Sequence, residues 1–160
     1  MDITIKKHSN IYTLFSRQKA PISIEKAWEF FSSPENLEKL TPSEMNFQVT
    51  SGKPEKAYPG QIISYQVNVV KGVRLNWVTE ITHVEKNKFF IDEQRFGPYT
   101  MWHHEHFFEK IDDHSCWLID KVSYKLPLGF LGAIAHPIFV KKQLTEIFEY
   151  RAKQISILFG

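Results

Sequence analysis

One cysteine, Cys116, stands alone among 160 residues, so the chain can form no internal disulfide and no cysteine-built structural zinc site. A lone thiol of this kind is expected to be a small buried strand residue in a protein kept in a reducing compartment. No apolar run approaches the ~20 residues of a membrane-spanning helix, and residues 1–12 lack the apolar core of a secretory leader. A cytoplasmic protein without membrane insertion is therefore expected. An excess of one charge is also missing. Twenty Lys and Arg against 18 Asp and Glu leave +2, with no basic block, which argues against a nucleic-acid partner or a polybasic anchor. Repeats, low-complexity tracts and linker-like stretches are absent, and the length suits a single domain over residues 1–160. Neither a nucleophile motif nor a dinucleotide fingerprint occurs. Gly129 and Gly132 follow Pro127 without the strand–turn–helix context that a phosphate-cradling loop requires.

Aromatic residues, by contrast, are plentiful: 13 Phe, 6 Tyr and 4 Trp make up 14% of the chain, beside 7 His. Large rings fill cores efficiently, and they also line concave apolar sites in which a few placed polar groups meet one end of a ligand.

The order of elements follows from the period of the apolar residues. Ile11 to Ala20 reads as a strand closed by Pro21. Ser23 then caps a short helix with Ala27, Trp28, Phe30 and Phe31 on one face. Ser33-Pro34 starts a second short helix and Thr41-Pro42 stops it. From Met45 the period becomes two: Met45, Phe47 and Val49, then Ile63 to Val69, Leu75 to Ile81 and Phe90 to Phe96, with strands Tyr99–Ile111 and Ser115–Leu126 after them. Their connections, among them Pro59-Gly60, Lys71-Gly72 and Gly97-Pro98, are of hairpin length, so a meander of about six antiparallel strands is expected. After Pro127 the period is helical. Ala133, Val140, Leu144, Ile147, Ile155 and Leu158 fall on one stripe of a helix running roughly from Pro137 to Leu158, with Glu146, Glu149 and Lys153 opposite. A helix of about 20 residues spans ~30 Å, enough to cross the concave face of a curved sheet. The expected class is α+β: a curved antiparallel sheet of about six to seven strands around a long C-terminal helix, with two short helices after the first strand.

Trp28 with Phe30-Phe31, Pro34-Glu35-Asn36-Leu37 running into Leu40-Thr41-Pro42, Trp77, Phe90 to Gln94, Gly97-Pro98-Tyr99, Trp102, His104-Glu105-His106 and Tyr124 together resemble the helix-grip fold of the START-like superfamily, closest to a bacterial ligand-binding branch often labelled SRPBCC. The resemblance covers essentially the whole chain. It implies a cavity between sheet and helix, but the superfamily holds carriers, receptors and enzymes on one scaffold, so it fixes fold more firmly than function.

Met101 to Phe108 is the most unusual stretch. Alternation groups Trp102, His104, His106 and Phe108 on one face and Met101, His103, Glu105 and Phe107 on the other, and the resemblance places the Trp102 face inward. With Phe90 inward go Asp92 and Gln94; with Val122 go Asp120 and Tyr124. Such polar groups, buried without partners, would each cost on the order of 2 kcal/mol or more, which implies mutual hydrogen bonds or contact with a ligand's polar end. Arg151 falls on the apolar stripe of the long helix and must reach the rim, pair with Asp92 or Asp120, or await an acidic ligand head. The expected ligand-contacting set is Trp77, Asp92, Gln94, Trp102, His104, His106, Phe108, Asp120, Tyr124 and Arg151. His104-x-His106 would also suit two metal ligands on one strand, as in cupins. Cupins, however, do not end in a long amphipathic helix, and Asp92 or Asp120 would have to complete the set, so no metal or other cofactor is expected.

The leading expectation is a monomer or weak homodimer that binds a small apolar or amphipathic molecule and catalyses nothing. The alternative is a cyclase-, dehydratase- or hydrolase-like enzyme with Asp92 and His104 in acid–base roles. A third is a regulatory partner of another protein with a filled core. A carrier calls for a large cavity without a perturbed dyad, an enzyme for an Asp–His hydrogen bond at an accessible void, and the third for an exposed apolar patch.

Overall fold

Among the described residues, alternating side chains build one antiparallel sheet of eight strands, in the order β1-β2-β8-β7-β6-β5-β4-β3. The computed structural model describes residues 1–53, 55–70, 73–127 and 139–160, with residue 70 described by its backbone only. The strands are β1 (Asp2–His8), β2 (Ile11–Ala20), β3 (Gln48–Val49), β4 (Gln61–Val70), β5 (Val73–Glu85), β6 (Phe89–Phe96), β7 (Met101–Lys110) and β8 (Cys116–Lys125). From β3 to β8 each strand pairs with the next, which is the expected six-strand meander. Strand β2 extends the sheet by pairing along β8.

The sheet is larger than the expected six to seven strands because β1 pairs with β2 along its full length. Only Ile3 and Ile5 mark β1 as a strand, and Lys6 and Lys7 follow at once. Charged residues at a sheet edge discourage further pairing, and they also dilute the alternation that identifies a strand. A second difference lies at Met45 and Phe47. Met45 ends a single 3-10 turn, Ser43–Met45, and Asn46 takes a left-handed conformation (φ 49°), so the strand shrinks to Gln48–Val49.

Helix α1 (Ile24–Phe31) starts where Ser23 accepts a hydrogen bond from the Lys26 N–H at 3.4 Å, and it buries Ile24, Ala27 and Trp28. The second short helix, Pro34–Leu40, is 3-10 rather than α; the Ser33 hydroxyl caps nothing and instead donates to the Glu29 carbonyl. The long helix, α2, runs over Lys141–Phe159 and buries Leu144, Phe148, Ala152 and Ile155. Leu158, expected on the buried stripe, is exposed, because the stripe drifts away from the sheet in the last turn. The expected helix start at Pro137, the stripe position Ala133, the glycines Gly129 and Gly132 and the Lys71-Gly72 turn lie outside the described residues.

Two side chains fix α2 to separated parts of the sheet. Gln18 on β2 donates to the Ala152 carbonyl at 2.9 Å, and Gln143 donates to the Val69 carbonyl on β4. The helix therefore bridges the concave face between strands that are not neighbours. Near β2 and β8 it packs tightly: Leu144 and Phe148 join Tyr12, Leu14, Val122 and Tyr124. A second cluster under α1 holds Trp28, Phe90, Phe108 and Ile155, with Trp28 edge-on to Phe90 and Phe108. Between the two clusters the packing is incomplete.

Candidate functional site

A cavity of about 180 Å³ remains there, bounded by α2, β4 to β7 and the short helices. Its walls are mostly apolar and aromatic, among them Phe31, Tyr65, Trp77, Phe90, Trp102 and Phe148. Polar atoms concentrate at one end, where Asp92, His104, His106 and Arg151 reach it from β6, β7 and α2.

Register explains this gathering. Asp92 lies opposite His104 across β6 and β7, and Asp120 lies opposite His106 across β7 and β8, so two carboxylates flank two imidazoles on the same face. His104 Nε2 donates to Asp120 Oδ1 at 2.9 Å, and His106 Nε2 donates to Asp92 Oδ2 at 2.7 Å. The pairs are cross-linked: His106 Nδ1 is 3.1 Å from Asp120 Oδ1, and His104 Nδ1 is 3.6 Å from Asp92 Oδ2. The imidazoles lie with ring centres 3.6 Å apart, and His106 stacks on Phe90 at 4.1 Å. Arg151 completes the cluster, with Nη1 3.5 Å from Asp120 Oδ1 and its guanidinium over the rings of Phe31 and Phe148.

Burial opposes every charge in this cluster, and the neighbours decide which charges survive. For Asp120, burial would raise the pKa, but the Arg151 charge and the donors of both histidines hold it well below the ordinary carboxylate value. Asp92 is likewise pushed up by burial and brought below the ordinary value by His106, His104 and Arg151. Burial and the His106 charge lower the pKa of His104 despite its bond to Asp120, whereas His106, between both carboxylates, is raised in spite of burial. The two carboxylates therefore face the Arg151 guanidinium and His106, the histidine whose charged form its neighbours favour, while the surroundings of His104 favour its neutral form. Mutual pairing of opposite charges is how a cluster of this size is tolerated in an apolar interior.

The outward face of β7 behaves differently. His103 bonds Glu93 at 2.9 Å and Glu105 pairs with Lys121, both at the outer surface of the sheet.

The expected ligand-contacting residues separate into three groups. Trp77, Asp92, Trp102, His104, His106 and Arg151 line the cavity. Asp120 lies behind the histidines, Phe108 packs into the core against Trp28, and Tyr124 is fully buried and stacked on Tyr12. Gln94 departs from the expected grouping. Its amide donates to the Tyr99 carbonyl at 2.6 Å and accepts from the Tyr99 N–H at 3.2 Å, so it braces the β6–β7 turn instead of facing the cavity. A register shift between β5 and β6 interrupts simple alternation along this part of the strand pair.

Tyr65, Thr79 and Tyr99 line the cavity without having been singled out in the sequence. The Tyr65 and Thr79 hydroxyls bond each other at 2.9 Å, and burial raises the Tyr65 and Tyr99 pKa values. Alternation puts Thr79 on the same face as Trp77, and pairing adds Tyr65, which lies opposite Trp77. The buried indole N–H of Trp77 has no hydrogen-bond partner among the described residues.

Asp92, His104 and His106 also have the spacing of a metal-ligand set, one ligand atom from each lying within 4.8 Å of the others. No helix among the described residues is long and apolar enough to cross a membrane.

No protein-family profile matches the chain, and no curated protein sequence does. Solved structures do. A Mycobacterium smegmatis protein superposes with a TM-score of 0.67 at 15% identity, over 99% of this chain and 96% of that one. Norcoclaurine synthase of a Thalictrum species gives 0.62 at 14% identity, over 97% and 96%. The Zhui aromatase/cyclase of a Streptomyces species gives 0.70 at 9% identity, over 91% and 94%. These likenesses agree with the sheet order and the long closing helix, and the chain has the helix-grip fold.

Proposed function

We propose that this chain acts as one ligand-binding domain that takes a small, mostly apolar molecule into the cavity between sheet and α2. The carrying observation is the distribution of polarity: an aromatic chamber with its ionisable groups gathered at one end. That pattern selects a molecule with an apolar body and one polar end, the end meeting Asp92, His104 and Arg151. Size narrows the class further. A cavity of ~150 Å³ lined by apolar side chains admits benzene, so about 180 Å³ suits a molecule of one or two rings better than an extended acyl chain. The unpartnered Trp77 N–H is a donor for an acceptor on the ligand body. The lone buried thiol of Cys116 supports a cytoplasmic setting.

A second reading, acid–base catalysis in the same chamber, is favoured by one specific feature: the hydrogen bond from His104 to Asp120, which orients an imidazole at the cavity wall. The aromatase/cyclase and the synthase among the similar structures support it only by analogy of fold.

Native mass spectrometry of the freshly purified protein tests both readings. Binding predicts a one-to-one noncovalent adduct that leaves on denaturation with unchanged mass after incubation. A returned molecule of altered mass would favour the catalytic reading. Ligand-free protein that also takes up no apolar dye would contradict both.

A further inference from the structure

The cluster at the polar end does more than neutralise charge. One oxygen of Asp120 faces a ring nitrogen of each histidine: His104 Nε2 at 2.9 Å and His106 Nδ1 at 3.1 Å. A carboxylate in that position orients both rings, because each places an N–H toward Asp120 and turns its opposite nitrogen toward Asp92; on His106 that nitrogen becomes a lone-pair donor once the proton it shares with Asp92 leaves. Those opposite nitrogens, His104 Nδ1 and His106 Nε2, both turn toward Asp92 Oδ2, at 3.6 and 2.7 Å. We propose that Asp92, His104 and His106 form a three-ligand site for a divalent transition-metal ion such as zinc, iron or cobalt, with Asp120 as the residue that positions both imidazoles.

Three observations carry this assignment, and none of them depends on the ligand-binding reading. First, the spacing is within a small adjustment of a ligand set. Ligand atoms ~2.0–2.1 Å from one ion stand roughly 2.8 to 3.4 Å apart across octahedral to tetrahedral angles, and the two distances to Asp92, 2.7 and 3.6 Å, lie just below and just above that range, so small side-chain rotations bring them into it. Second, the outer support is present. Metal-bound histidines almost always pass their second ring N–H to a carboxylate or carbonyl, and here one carboxylate serves both rings, itself steadied by Arg151 at 3.5 Å. Third, all three ligand residues line the cavity, so an ion held by them keeps its remaining positions open toward the chamber. Two imidazoles and one carboxylate select a first-row transition ion over magnesium or calcium, which prefer oxygen donors throughout. The sequence-based expectation of no metal rested on the long C-terminal helix, unlike cupins, and on the need for Asp92 or Asp120 to complete the set; register places Asp92 beside both histidines.

Without an ion, the 2.7 Å contact between His106 and Asp92 holds a proton. Metal binding displaces that proton to solvent.

The test uses tag-free, chelator-stripped protein titrated with Co²⁺ and, separately, Zn²⁺. The expected result is about one equivalent bound, a visible Co²⁺ absorption band of a low-coordinate site, and perturbed ring resonances of His104 and His106 while those of His8, His83 and His114 stay in place. Asp120→Asn should weaken Zn²⁺ binding by about 10- to 100-fold while keeping one equivalent, as a positioning residue does. Asp92→Ala should abolish the cobalt band. Because both substitutions also alter the pairing within the cluster, the wild-type resonances decide independently. No binding near one equivalent, or binding that perturbs only the outer histidines, overturns the proposal.

Discussion

Arg151 illustrates how one side chain can couple helix to sheet. Its guanidinium is mostly buried, lies between the rings of Phe31 and Phe148, and stands 3.5 Å from Asp120. Arg151→Met removes a desolvated charge but leaves Asp120 short of one cation. Breaking a buried pair typically costs about 3 to 5 kcal/mol; since Asp120 retains two imidazole neighbours, a loss of about 3 kcal/mol is expected in urea unfolding. An unchanged midpoint and slope would show that the pair does not hold α2 to the sheet. Cys116 gives a second residue-scale prediction. It is fully buried, and burial, aided by the Glu25 charge, pushes its thiol up to about 11. The native protein should therefore leave a thiol-exchange reagent unreacted at pH 8 and consume one equivalent once unfolded. Rapid native labelling would contradict this placement.

At the scale of elements, α1 and α2 depend on different forces. Helix α1 is short enough that its cap matters: Ser23→Ala should lower stability by about 1 kcal/mol in chemical denaturation, whereas Ser33→Ala, whose hydroxyl caps nothing, should stay closer to wild type. Equal losses would mean that the Ser23 cap is not formed in solution. Periodicity made most of these elements legible. The meander from β4 to β8 and the apolar stripe of α2 follow from side-chain alternation and helical spacing, and so does the inward set His104, His106 and Phe108 once a face is chosen. Elements with weak periodicity were not legible. Strand β1 carries two isoleucines before its lysines, Met45 gave way to a turn at Asn46, and Leu158 lies where the helix stripe leaves the sheet. The site divides in the same way. Alternation grouped Asp92 and Asp120 with the histidines, but their cross-linked bonds, the diversion of Gln94 to Tyr99 and the cavity role of Tyr65 depend on register between strands, which one sequence does not display.

The whole molecule is an incompletely filled interior between a curved sheet and a helix tied down at both ends. Its tight part, around Leu14, Val122 and Tyr124, holds the fold, and its loose part, around Trp77, Trp102 and Phe148, forms the chamber. This division predicts that the chamber can be filled with little effect on the tight cluster. Val67 lies on β4, is almost fully buried and faces the chamber, so Val67→Phe should occupy part of the ligand's space. The most direct measurement of the central claim is a titration of wild type and Val67→Phe with an apolar fluorescent dye of one or two rings, read by dye emission and by quenching of Trp77 and Trp102. The cavity account predicts saturable one-to-one uptake by wild type, and affinity at least about tenfold weaker in a Val67→Phe protein that still unfolds cooperatively. Absence of uptake by wild type, or equal affinity in the two folded proteins, would contradict it.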